Sequence, residues 1–217
     1  MNDQLAAQLE QLKQRDLETR AWLLAKGRLY GIYHQAMQTV HIENARALDA
    51  ITQQHGWPGI SLVGLAGCRA AWLVAQHSIC TPELQRSFLD LLTAAAQKGE
   101  APMKQVAMLT DRIRFNENRP QVYGTVFDWN ENGELGCNIE DPETIDERRK
   151  IAGLPPYRES LQENITAIEN EGGKPPPDFP DYQRAFFYLG PRRRMAIAAA
   201  SGTPGAEDSS SGSKTAG

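Results

Sequence analysis

The most apolar stretch of the chain predicts a helix that is buried on several sides. It follows the turn residues Gly56-Trp57-Pro58 and ends on an amide and an imidazole, Gln76-His77. Only Arg69 and Gln76 clearly interrupt the apolar run. Because a helix that is apolar nearly all round must pack against several neighbours, we place it at the centre of the fold. The polar pair at its end is the first candidate for chemistry.

Amphipathic helices are predicted on both sides of this central helix. Leucines at helical spacing mark a helix at about 3–26, with Asp16 on the leucine stripe. After a break at 27–31, a second helix leads into a third at about 39–54, with Asn44 on its apolar line. Capping residues and apolar periods predict further helices at about 81–99, 102–115, 141–153 and 157–170.

The hydrophobic period changes at Pro120, where the pattern predicts a β-hairpin at about 120–139. The first part alternates with residue types that favour strands, turn residues follow, and the rest can return as the partner strand. A period of two would point the side chains of Gln121, Tyr123 and Thr125 to one face. That face is either exposed to solvent or directed at a polar cleft.

Together these elements predict a mainly α fold of the α+β kind, an irregular helical bundle around a buried central helix with one β-hairpin. A chain of 217 residues with 41% hydrophobic content can bury one core, so residues 1–170 are assigned to a single domain. Proline and glycine mark 171–180 as a linker. Aromatic residues let 181–199 dock back, and the small polar residues of 200–217 predict a disordered tail.

Charge and composition exclude some partners. The formal net charge of -4 gives no general attraction to nucleic acid or to anionic membranes, so neither is expected as a partner. The chain has no signal-peptide pattern at its start and no apolar run of about 20 residues, which indicates a cytoplasmic location without a membrane span. A protein partner could bind through the linker or the tail.

Cysteines and histidines give no metal-site pattern. Cys68, Cys80 and Cys137 are an odd number without C-x-x-C spacing, which argues against disulfides and structural zinc. His34 and His41 would face the same side of a continuous helix, but no third ligand stands near them in sequence. No residue is therefore assigned as a metal ligand, and the cofactor is left unknown.

The candidate site combines one histidine with acids, amides and arginines from several elements. His77 is attached to the core helix and is the candidate general acid or base near neutral pH. Asp16 and Tyr123 complete the predicted catalytic set. The residues predicted to bind substrate are Arg20, Asn44, Gln76, Asp111, Arg112, Gln121, Thr125, Arg148 and Arg149.

Each of these residues also has a structural alternative. His77 could be a helix-end residue bonded to backbone, and Asp16 could pair with Arg20 one turn later. Asn44 could cross-link backbone groups. The arginines after residue 110 could form ion pairs with nearby carboxylates, namely Asp111, Asp141 and Asp146.

Familiar catalytic signatures are absent from the sequence: there is no Walker loop, G-x-S-x-G elbow, H-E-x-x-H or Rossmann fingerprint. A set of short motifs between Asp16 and Tyr157 nevertheless resembles a bacterial family of unknown function. These motifs are Gly56-Trp57-Pro58, Val63-Gly64, Gln76-His77, Asp111-Arg112, Gln-x-Tyr-Gly-Thr at 121–125, Glu140-Asp141-Pro142, Arg148-Arg149 and Gly153-Leu154. His41 and Val126 depart from the pattern, which has Asp and Gln there. The resemblance implies a domain boundary and a shortlist of residues, and it implies no reaction.

Two hypotheses for function follow. The first is an enzyme, a hydrolase or group transferase, in which His77 moves a proton and arginines hold a small anionic substrate. The second is a non-catalytic binding or adaptor domain whose polar groups form a structural network. The enzyme hypothesis requires Asp16, His77, Arg112 and Tyr123 to converge on one concave site.

Overall fold

The computed structural model describes residues 1–29 and 33–175, and it confirms a mainly helical fold with one small antiparallel hairpin. In chain order the described elements are α1 (Asp3–Ala25), α2 (Gln35–His55), α3 (Ile60–His77), α4 (Pro82–Gln97), α5 (Met103–Asn116), β1 (Asp128–Trp129), β2 (Leu135–Gly136), α6 (Ile145–Ile151) and α7 (Tyr157–Asn170). Half of the predicted linker, together with the predicted docking segment and the predicted tail, lies outside the described residues.

Helix α3 lies at the centre of the bundle, as predicted, and packs against α1, α2, α4 and α5. Ala70, Ala71 and Ala75 on this helix are fully buried, and such small side chains let neighbouring helices approach closely. A Cβ atom on Gly67 would lie 3.5 Å from Cα of Ala6, which shows how near α1 passes. No helix among the described residues is long and apolar enough to cross a membrane.

Large apolar side chains fill the spaces around α3. Each buried leucine or phenylalanine contributes about 1.5–3 kcal/mol relative to exposure. Those with no exposed surface are Leu9, Leu48, Phe88, Leu92 and Leu109, contributed by α1, α2, α4 and α5. The core therefore fixes the positions of the helices that carry the candidate site.

Helices α1, α3 and α5 run in the same direction. Near the starts of α1 and α3, the backbone N–H of Asn2 donates to the carbonyl of Leu62 at 2.7 Å. Further along, the side-chain amide of Gln76 donates to the carbonyl of Met108. Polar residues in the C-terminal halves of the three helices consequently share one end of the bundle.

Two helices differ from the sequence predictions. Gly64 interrupts α3 near its start, because its φ of 71° and ψ of 173° are not helical. The second and third predicted helices, for which the sequence pattern also allows an uninterrupted course, form one continuous helix, α2, within the described residues. Helix α6 begins at Ile145, later than predicted.

The predicted hairpin exists, but its strands are only two residues long: β1 lies where the turn was expected, and β2 lies within the expected return strand. Residues 121–127 were predicted as a strand and instead form a loop, with an isolated bridge between Gln121 and Ile139. Gly124 in this loop has a φ of 61°, a left-handed conformation outside the strand region. The expectation of one strand face shared by residues 121, 123 and 125 is therefore wrong.

Candidate functional site

Asp16, His41 and His77 lie together at the shared end of the bundle, and we call them the histidine cluster. Oδ2 of the Asp16 carboxylate lies 2.8 Å from Nδ1 of His77 and 3.1 Å from Nε2 of His41. The two imidazole centroids are 5.1 Å apart. One carboxylate oxygen from α1 therefore contacts histidines from both α2 and α3.

The cluster is buried on one side and open on the other. Asp16 is 1% exposed and His41 is 6% exposed, whereas the His77 side chain is 28% exposed. Because an ionised carboxylate only accepts hydrogen bonds, Nδ1 of His77 carries the proton that it donates to Asp16. Nε2 of His77 has no partner among the described residues and can meet solvent or a substrate.

Several buried polar atoms on the turns that carry the cluster have no hydrogen-bond partner among the described residues. They are Oδ1 of Asp16, Nε2 of His41, Oδ1 of Asn44 and Oε1 of Gln76. Nε2 of His41 is near the carboxylate, but the approach does not have the direction of a hydrogen bond. An unsatisfied buried group costs about 1–3 kcal/mol, so such a concentration calls for an explanation beyond folding.

Ionisation in the cluster follows from burial and hydrogen bonding. Burial acts to raise the pKa of Asp16, but the contacts with His41 and His77 outweigh it and leave the pKa well below its usual value. Burial lowers the pKa of His41, against the effect of the Asp16 carboxylate. Asp16 is accordingly ionised and His41 neutral near pH 7.

Tyr33 and Arg112 border the cluster. The Tyr33 hydroxyl is in hydrogen-bond contact with Nδ1 of His41. Arg112 lies close enough to His41 for its charge to contribute to lowering the His41 pKa. Nε of Arg112 is buried without a hydrogen-bond partner among the described residues, and burial lowers the pKa of this guanidinium. Arg112 thus brings a positive charge near His41.

A groove of about 550 Å³ opens one helical turn away from the cluster. Lys13 and Leu73 line it, and each lies one turn before a cluster residue on α1 or α3. Arg69 and Lys104 also line the groove, both are exposed, and neither has an ion-pair partner in the described part of the chain. The lining includes no carboxylate among the described residues. The groove is therefore positively charged.

A second polar group, which we call the loop clamp, consists of Asp111, Gln121 and Arg149. The buried Asp111 carboxylate accepts hydrogen bonds of 2.8–3.2 Å from backbone N–H groups of the loop and from a hydroxyl. The donors are Val122, Tyr123 and Thr125. Burial raises the pKa of Asp111, and these hydrogen bonds act in the opposite direction.

Gln121 and Arg149 complete the clamp. The Gln121 amide donates to the carbonyl of Val126 at 2.7 Å and accepts from two backbone N–H groups of the loop. The Arg149 guanidinium is 1% exposed and donates to three carbonyls and a hydroxyl. Its acceptors are Tyr123, Gly124, Pro155 and Ser160. These side chains hold the loop and the segment around Ser160 in place.

Other predicted site residues lie away from the cluster. Arg148 bonds to the carbonyls of Val122 and Asp141, next to the clamp. Arg20 forms an ion pair with Glu171 at 2.7 Å. Asp16 pairs with His77, so the alternative ion pair between Asp16 and Arg20 is not formed. Tyr123 lies in the clamped loop, and its side chain has no hydrogen bond within the described residues.

The structure thus brings together only part of the predicted site. Asp16 and His77 meet, Arg112 borders them, and Asn44 and Gln76 lie on the same turns. Asn44 also donates to the carbonyl of Leu12 at 2.9 Å, as its structural alternative predicted. Tyr123 has no described contact with the cluster, so the required convergence of four residues is incomplete.

Sequence reasoning missed His41 as a site residue, together with Tyr33 and the groove cations. The sequence pattern pairs His41 with His34 as possible metal ligands. In the structure, Nδ1 of His34 instead accepts a hydrogen bond from the backbone N–H of Ala36 at the start of α2. The available signal was the spacing of His41 and Asn44 on α2. Residues three apart on a helix share a face, and Asn44 was already predicted to point inward.

The model of a family of unknown function, DUF6624, matches residues 28–172, and the chain belongs to this family. The match agrees with the resemblance to an uncharacterised family seen in the sequence motifs. No curated protein matches the chain significantly. No solved structure matches it significantly either.

Proposed function

We propose that this member of the DUF6624 family is a hydrolase or group transferase that acts on a small anionic molecule, with His77 as general acid and base. The observation that carries the proposal is the hydrogen bond from Nδ1 of the half-buried His77 to the buried Asp16 carboxylate. This arrangement fixes the tautomer of the imidazole and presents Nε2 to the open side of the cluster.

The proposed proton transfer follows from that tautomer. Nε2 of His77 accepts a proton from a water molecule or a hydroxyl group as this attacks the substrate. The imidazolium that forms is stabilised by the ionised Asp16, which holds its Nδ1–H. The same nitrogen then returns the proton to the leaving group. Asp16 acts as a positioning residue, because it touches His77 and not the reacting atoms.

The substrate class follows from the groove next to the cluster. Arg69 and Lys104 are without ion-pair partners in the described residues, whereas Lys13 pairs with Glu10. Such a set of cations favours a carboxylate or phosphate. Trp72 and Met108 line the same groove and supply apolar surface for the rest of a small molecule. Arg112 provides a further positive charge near His41.

The test is a screen of small anionic metabolites and nucleotides by thermal shift, followed by turnover assays of each compound that binds. A ligand that binds only the folded state raises the melting temperature. Assays contain a chelator, so that any activity is independent of added metal. His77→Gln keeps an amide that can bond to Asp16 but cannot accept a proton, and we expect it to lower kcat by about 10²–10⁴-fold.

His55→Gln is the matched control, because His55 is exposed at the end of α2. It should leave turnover unchanged. Full activity of His77→Gln would refute the assigned role of His77.

A non-catalytic binding domain is the second candidate. It is favoured by the two amide side chains, Asn44 and Gln76, that cross-link backbone carbonyls next to the cluster. In that case the screen yields ligands that bind in the groove but are never converted. A Lys104→Ala variant would then weaken binding, while His77→Gln would leave it unchanged. A protein partner bound through the linker or the tail stays a prediction.

A further inference from the structure

We infer that Asp16, His41 and His77 form a binding site for a divalent transition-metal ion of the zinc class. The inference concerns the same residues as the proposed function but rests on their geometry, so the two can be tested separately. Two imidazole nitrogens and one carboxylate oxygen lie within 4.8 Å of one another. No other group of this kind occurs among the described residues.

The distances from Asp16 to the two histidines are close to those of a metal site. Zinc binds nitrogen at about 2.0–2.1 Å and carboxylate oxygen at about 2.0–2.2 Å, which puts neighbouring ligand atoms of a tetrahedron roughly 3.3 Å apart. The separations from Oδ2 of Asp16 are 2.8 and 3.1 Å, and all three ligand atoms lie within 4.8 Å of one another. A small outward shift of Asp16, with the two imidazole rings turned toward a common point, would place the three ligand atoms around one ion.

An unpartnered, buried ligand atom points to the same conclusion. Nε2 of His41 lies 3.1 Å from Oδ2 of Asp16 without a hydrogen bond, and His41 is 6% exposed. If Nδ1 carries the proton and donates it to the Tyr33 hydroxyl, the lone pair of Nε2 faces the carboxylate. Two lone pairs repel each other at this distance unless a cation lies between them. Tyr33 would then be the outer partner that orients a metal-bound histidine.

The donor set indicates which ions can bind. Two imidazoles and one carboxylate suit zinc and similar first-row ions, whereas Mg²⁺ and Ca²⁺ prefer oxygen ligands. No cysteine belongs to the cluster. Three protein ligands leave a fourth position of a tetrahedral ion for water or a substrate group, and the half-exposed side of His77 is where that position would open.

Metal binding excludes the hydrogen bond between Asp16 and His77. The ion takes the place of the Nδ1 proton, so the same site cannot hold both. The consequence for activity rests on the proposed function: if His77 is the general base, zinc inhibits turnover. Zinc that activates turnover would refute the proposed role of His77 and leave the metal site standing.

The test is a zinc titration of the full chain, stripped of metal, in competition with a chromogenic chelator. We expect one equivalent to bind. His41→Gln and Asp16→Asn should each weaken the affinity by at least about 100-fold, since each removes a ligand. His55→Gln should bind zinc as the wild type does. Circular dichroism confirms that each variant is folded.

A measurement on the wild type alone keeps the inference falsifiable if a variant does not fold. Cobalt in place of zinc should give visible absorption bands of a four- or five-coordinate nitrogen and oxygen site, without a thiolate charge-transfer band. Stoichiometric binding with that spectrum supports the site. Absent binding, a thiolate band, or equal affinity in the folded His41→Gln variant overturns it.

Discussion

The histidine cluster and the loop clamp both bury charged side chains, yet they use their hydrogen bonds in opposite ways. In the clamp, Asp111 and Arg149 bond to backbone groups through nearly every polar atom. In the cluster, Asp16 keeps an oxygen without a partner and His41 keeps a nitrogen without one, within the described residues. Burial and charge alone therefore do not distinguish the two regions, and we propose that the unused hydrogen-bonding capacity marks the cluster as the functional one.

The difference has a thermodynamic meaning. A satisfied buried network holds a loop in place, and removing one member leaves its partners unpaired at a cost to stability. An unsatisfied cluster already carries that cost in the folded protein. Substitutions in the clamp should therefore lower stability, while substitutions in the cluster should change binding or turnover more than stability.

The largest effect is expected from Arg149→Met, which removes the guanidinium and keeps most of the side-chain volume. Three carbonyls and the Ser160 hydroxyl lose their donor inside the protein. We expect the free energy of unfolding to fall by about 3–5 kcal/mol, measured by urea denaturation. Arg148→Met, at a more exposed position, should cost only about 1 kcal/mol. Equal losses for the two variants would show that the clamp has no special role.

Two buried glutamines provide the next comparison. Gln121→Leu removes three hydrogen bonds to the loop backbone, leaves the Val126 N–H unpaired, and should cost about 3 kcal/mol. Gln76→Leu loses one long hydrogen bond of 3.4 Å and an oxygen that has no partner among the described residues. It should change stability by less than about 1 kcal/mol in either direction. A larger loss for Gln76→Leu than for Gln121→Leu in urea denaturation would reverse the assignment of the two regions.

Alkaline pH should weaken the clamp side of the molecule. Burial raises the pKa values of Cys137 and Tyr157 to about 12, and the Cys137 thiol donates to the carbonyl of Val126 in the clamped loop. Both groups ionise more readily when unfolded, so the unfolded state binds fewer protons and stability falls as pH rises above about 9. We expect a loss of about 2 kcal/mol between pH 9 and 10.5.

The check is the urea midpoint of the wild type and of Tyr157→Phe across this pH range. Phenylalanine cannot ionise, so the variant should lose less stability than the wild type over the same interval. Identical slopes would mean that Tyr157 does not keep its proton in the folded protein.

The helical part of the fold could be predicted from sequence because it depends on apolar period and capping. The leucine stripe that placed Asp16 inward and the apolar run that placed α3 at the centre are local signals. The loop at 121–127 could not be predicted from the sequence pattern. Its alternating residues favour a strand, whereas the loop conformation depends on hydrogen bonds from its N–H groups to the Asp111 carboxylate on α5. His41 was missed for a similar reason, since its contacts come from α1 and α3 and not from its own helix.

The most direct test of the account compares one substitution in each region, His41→Gln and Asp111→Asn, by urea denaturation at neutral pH. Asp111→Asn puts an amide nitrogen against N–H donors and should lower the free energy of unfolding by about 2–3 kcal/mol. His41→Gln removes a neutral ring whose Nε2 has no hydrogen-bond partner among the described residues, and should change the free energy of unfolding by less than about 1 kcal/mol. A loss from His41→Gln as large as that from Asp111→Asn would contradict the account, because the cluster would then be structural.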